Sequence, residues 1–209
     1  NYVRHHRFAN NDLVRHLERL GAEVTVASFP EYHFYMNWFR MGEAWTRRSP
    51  RQWLANYLQD RVQRRIHARL ARPFWSLLGP IREPETTALL DLAAPFLPTS
   101  FDAGETVLTI AKTIEFSHQG CQGVVNVMPF SCMPSNVVQS LLKKIAPALQ
   151  GMPALTVSYD GQQDPTLDTR LETFLAQARM FQRAVGEPPG VSPRVSPRID
   201  VPASKEPVG

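Results

Sequence analysis

The five residues Val124-Val125-Asn126-Val127-Met128, bounded by Gly123 and Pro129, constrain this chain most. A short run that is β-branched, apolar at nearly every position and ended by proline reads as a strand covered on both faces, as in a parallel sheet. A parallel neighbour needs a crossover, and the sequence supplies one. Ser135 to about Ala146 carries Val137, Val138, Leu141, Leu142 and Ile145 at helical spacing. Pro153 then introduces a second run, Ala154-Leu155-Thr156-Val157-Ser158-Tyr159, and Asp160-Gly161 turns the chain. Asp164 and Pro165 open a last helix that directs Leu167, Leu171, Phe174, Leu175, Ala178 and Phe181 inward.

The amino-terminal part predicts the same alternation. Asn11-Asp12 is a helix cap, Leu13, Val14, Leu17 and Leu20 follow at helical spacing, and Gly21 closes the helix. Glu23 to Phe29 then reads as a strand ended by Pro30, with Tyr2-Val3 as the remnant of a strand before it. Pro84 starts a helix through Leu89, Leu90 and Leu92, and Glu105 to His118 forms another. The expected fold is α/β: an open parallel sheet with helices on both faces, Rossmann- or flavodoxin-like, plus a helical insertion at about 31–80. An α/β domain over 1–182 is followed by a Pro-rich tail over 183–209, where Val-Ser-Pro-Arg occurs twice and no core can form.

The insertion holds most of the charge asymmetry. Arg40, Arg47, Arg48, Arg51, Arg61, Arg64, Arg65, Arg69, Arg72 and Arg82 face only Glu43 and Asp60 between positions 40 and 82, whereas the formal charge of the whole chain is +4. Trp53, Leu54, Tyr57, Leu58, Val62, Ile66 and Leu70 recur at steps of three and four and fall on one helical face. The arginines fill much of the other face. A basic face is the footprint of phosphate binding, but no nucleic-acid motif accompanies it. A solvated face or a protein–protein contact therefore ranks ahead, and a non-catalytic interaction module using this basic helical face is one reading of the chain.

Cysteine usage excludes a disulfide scaffold, because the chain has only Cys121 and Cys132. No apolar run approaches the roughly 20 residues that span a bilayer, so no membrane partner is expected. The first residues show no signal-peptide pattern and no initiator Met, so the chain reads as part of a longer protein and the missing signal decides little; the α/β pattern is of a cytoplasmic type. In open α/β sheets, ligands bind beyond the carboxyl ends of the strands. Three loops are expected there: 29–35, 129–134 and 159–164. The middle loop holds Cys132 just before a helix, where the dipole favours a thiolate. Residue types alone leave Cys132 as a buried small hydrophobe, a metal ligand or a nucleophile. His118 and Cys121 precede the strand, at the opposite sheet edge, and so make poor partners for it. Asn11, Glu31, Asp160 and Arg170 are further candidates at the site edge, with Arg170 able to pair with Asp160.

The segment Gly123-Val124-Val125-Asn126-Val127-Met128-Pro129-Phe130-Ser131-Cys132-Met133-Pro134 resembles the carboxyl-terminal region of the 2-hydroxyacyl-CoA dehydratase superfamily, as found in large activase–dehydratase fusion proteins. Tyr2 to Asn11, Leu17 to Val24, Pro153 to Gly161 and Thr169 to Phe174 agree in order and spacing, so the resemblance covers roughly 2–180. It implies an iron–sulfur protein in which Cys132 supplies one ligand of a [4Fe-4S] cluster. It also implies an ATP-hydrolysing activase module, fused or separate, as electron donor, an acyl-CoA or other small substrate, and a dimeric or larger assembly. The remaining ligand cysteines are absent from this chain, so it carries part of a cluster site and would not act alone.

Overall fold

The computed structural model describes residues 2–74, 85–99, 104–162 and 164–185. The proline-opened start of the helix expected at Pro84, the end of the insertion and the Pro-rich stretch beyond 185 lie outside the described residues. The elements run α1 (Tyr2–His5), α2 (Leu13–Arg19), α3 (Phe29–Thr46), α4 (Pro50–Ala71), α5 (Thr86–Ala93), α6 (Thr106–His118), β1 (Val124–Pro129), α7 (Met133–Ile145), β2 (Ala154–Tyr159) and α8 (Leu167–Val185). A short 3-10 turn over Arg72–Phe74 follows α4. Among the described residues no helix is long and apolar enough to cross a membrane.

The carboxyl-terminal half follows the sequence pattern closely. Strands β1 and β2 are parallel and in register from Val124 opposite Ala154 to Pro129 opposite Tyr159, with α7 as the crossover. Because side chains alternate across a strand, the two faces feed separate cores. On one face Val124 packs with Val138, Leu142 and Ile145 of α7 and with Ile110 and Ile114 of α6. On the other, Val125, Val127, Leu155 and Val157 pack with Leu171, Phe174 and Leu175 of α8 and Leu13 and Leu17 of α2. The result is a mixed helix–strand fold with helices on both faces of a small parallel sheet.

The sheet stops at two strands among the described residues. The expected strand over 23–29 does not form: residues 22–28 have no regular secondary structure and join no ladder, and Phe29 already belongs to α3. Ala22 and Val24 still pack against the core that holds Val125 and Val127. Tyr2-Val3, expected as a strand remnant, lies in α1, which sits beside β1. The Ala27 backbone is hydrogen-bonded by the His5 side chain instead of by a neighbouring strand. Apolar patterning thus places these residues on the sheet face without giving them a ladder.

The second departure is α4. The helical pattern read from residue 31 onward is broken at residues 47–49 into α3 and α4, and the apolar face of α4 is turned outward. Leu54, Leu58, Val62, Ile66 and Leu70 are 51–67 % exposed, and Asp60 is the buried residue of this helix. The face against α3 is polar: Asn37 donates to Asp60 (3.3 Å) and Gln63 (2.7 Å), and Arg64 donates to Asp60 at 2.7 Å. Arg64 also lies 4.6 Å over the Phe34 ring and bonds Thr86 at the start of α5. Buried polar groups settle where their hydrogen bonds are met, and here Asn37, Asp60 and Arg64 meet theirs against one another.

Candidate functional site

Pro129 ends β1 and Pro134 stands in the first turn of α7, leaving a short stiff loop between them. Ser131 turns it through the left-handed region (φ 61°), and Cys132 is the N-cap residue of α7. The Cys132 carbonyl accepts the first helical bond, from Asn136 N–H at 3.0 Å, and the Cys132 N–H donates to Pro129 at 3.2 Å. The thiol is free and its residue half-buried at the carboxyl end of β1. Cys121 is also free and packs against the larger core before β1. A six-residue strand spans roughly 20 Å, so these cysteines sit at opposite sheet edges, beyond the reach of a disulfide. Burial, with Glu115 and Glu23 nearby, pushes the Cys121 thiol above its ordinary pKa. His118 ends α6, away from the Cys132 loop.

A cleft of about 630 Å³ opens beside this loop, bounded by the end of β2, α7 and α8. Phe130, Ser131, Asn136, Tyr159, Asp160 and Arg170 line it, with Asn11 at its rim. Three of the candidates named from sequence, Asn11, Asp160 and Arg170, therefore converge on one cleft. Their roles differ from expectation. Arg170 does not pair with Asp160. It donates to Asp164 at 3.0 Å and to the Thr156 carbonyl at 2.6 Å, bracing α8 against β2. Asp160 accepts the Gln162 N–H at 2.8 Å and shapes the turn. Asn11 takes a left-handed φ of 50°, while its neighbour Asn10 is buried and bonds the carbonyls of Val3 and Arg4 and the N–H of Leu13.

Glu31 does not join the cleft. It lies buried on α3, 2.9 Å from Lys112 Nζ, which is also 2.6 Å from Glu115. Burial works against the Lys112 ammonium, but Glu31 and the bonds to both carboxylates outweigh it and raise its pKa. Tyr32, the neighbour of Glu31, packs against the larger core.

Sequence reasoning passed over Tyr159 and Asn136. The Tyr159 hydroxyl is buried without a hydrogen-bond partner among the described residues, and burial raises its pKa to about 12 despite nearby Arg170. It is therefore a neutral phenol at pH 7. Its place as the last residue of β2 is the signal that could have found it.

No group of three His, Cys, Asp or Glu side chains among the described residues could hold a metal ion. Cys132 is a single thiol donor that does not itself line the cleft, whose polar lining includes Asn136, Tyr159, Asp160 and the Arg170–Asp164 pair. The chain alone does not fit a complete iron–sulfur cluster. No protein-family model, curated protein or solved structure matches this chain.

Proposed function

We propose that the chain is the dehydratase-like portion of an ATP-coupled iron–sulfur reductase or dehydratase, with Cys132 contributing one ligand to a cluster completed by donors outside it. The observation carrying this reading is the placement of Cys132. It is a half-buried free thiol in a proline-bounded loop at the carboxyl end of β1, and its loop neighbours Phe130 and Ser131 line an open cleft. A rigid loop suits ligation because cluster geometry tolerates little movement. The cleft would take the small substrate, with the exposed Asn136 among its polar contacts. Arg170 and Asp160 would hold the walls, since their side chains are engaged by Thr156, Asp164 and Gln162.

The test is anaerobic purification of the parent protein, alone and with Cys132→Ala. The wild type should carry iron and sulfide with broad visible absorbance, and Cys132→Ala should lose most of both. A cluster fully retained in Cys132→Ala ends the assignment of this residue.

A further inference from the structure

Helix α4 offers a surface that the cysteine chemistry does not use. Its exposed apolar residues, Leu54, Leu58, Val62, Ile66 and Leu70, fall at every fourth position and form one continuous ridge. Beside it runs a second row, Tyr57, Arg61, Arg65 and Arg69, all exposed, with the Arg61 guanidinium 5.9 Å from the Tyr57 ring centre. Asp60, the one carboxylate of α4, is buried on the opposite side and engaged by Asn37 and Arg64, so it neutralises none of these charges.

We propose that this ridge is a docking surface for an acidic amphipathic helix of a partner protein. Charge and geometry together select that occupant. A partner helix with its own apolar i, i+4 row packs ridge to ridge at about −50° and covers the central turns, Leu58, Val62 and Ile66. Carboxylates in its adjoining row meet Arg61, Arg65 and Arg69. A second copy of α4 brings arginines against arginines and is disfavoured. A lipid surface is also disfavoured. Each i, i+4 step turns by about 40°, so the ridge winds nearly halfway round the helix, and a flat bilayer touches only part of it.

The full chain is titrated with two synthetic helical peptides, each with Leu at every fourth position. One carries Glu in the adjoining row and the other Lys. The Glu peptide should bind at least about tenfold more tightly. Val62→Ser/Ile66→Ser should weaken it by about tenfold or more, as expected from removing two apolar contacts. Arg61→Glu/Arg65→Glu should reverse the preference towards the Lys peptide. All four positions are exposed, so thermal melts should not change.

Equal binding of both peptides, or of neither, overturns the proposal. So does binding to phosphatidylserine vesicles that depends on Val62 and Ile66 in the absence of peptide binding. A dimer split by the serine pair would identify a second copy as occupant instead. A melt lowered by that pair would show the ridge to be covered by the chain itself.

Discussion

At Gly123 the demand is for space. A Cβ there would stand 2.6 Å from the Phe174 ring and 3.5 Å from Ala178, both on α8 and both buried. The close approach of β1 to α8 thus depends on a missing side chain. Gly123→Ala should cost about 1–3 kcal/mol, the usual penalty of overpacking, read from urea denaturation. Adding Phe174→Leu should recover part of the loss by clearing the ring. An unchanged midpoint in the single variant would mean that the two elements separate freely. The sequence marks Gly123 as a chain break, which is correct locally, but the ring 51 positions away that requires glycine is invisible to local pattern. The same limit explains Arg170. Its place near the start of α8 is legible, yet whether it meets Asp160 or Asp164 depends on how β2 ends. Asp164 wins because it sits at the mouth of α8, bonded to Thr166.

Among elements, those specified by local signals match their expected spans within about two residues: β1, α7, β2, and the start of α8. Their strand runs are short and proline-bounded, and their helices carry one apolar stripe each. The misses are non-local. Residues 22–28 have a strand's composition but no partner edge, and α4 has an amphipathic period whose apolar side is not the side it buries. Period predicts that a face exists; packing decides which one is used. Polar clusters decide it here, and the second of them, Glu31–Lys112–Glu115, clamps α3 to α6. Lys112→Met should remove the ammonium that two buried carboxylates share and cost about 3–5 kcal/mol at pH 7. Since the folded pKa of Lys112 is raised above its ordinary 10.5, the stabilisation is fully present below that pH. It is lost as pH rises through the folded value. The wild-type advantage over Lys112→Met should therefore stay level from pH 7 to about 10 and shrink above it. An advantage that shrinks between pH 7 and 9 would exclude an ionised Lys112 as its source.

Across the whole molecule, burial and charge divide the chain in the same place. Helices α6 and α7 and the two strands pack into cores on both sides of the sheet, and α6 alone buries nine residues. Helix α4 buries one, Asp60, and carries its arginines and apolar ridge to solvent. Local stability follows buried apolar contact, so the two regions should open with different free energies. In hydrogen exchange on the free chain, α4 amides should exchange well before those of α6 and β1. The last turns, from Ile66 to Leu70, should lead, because they lie beyond the Asp60–Arg64 anchor. Adding the Glu peptide should slow exchange across Leu58 to Ile66 and leave β1 unchanged. If α4 in the free chain were as protected as α6, the ridge would already have a cover, and the docking surface would be an internal contact. If it exchanges early and the peptide slows it, the helix is a separable arm. Its stability is then supplied by what it binds, while the sheet and the Cys132 loop keep their geometry without it.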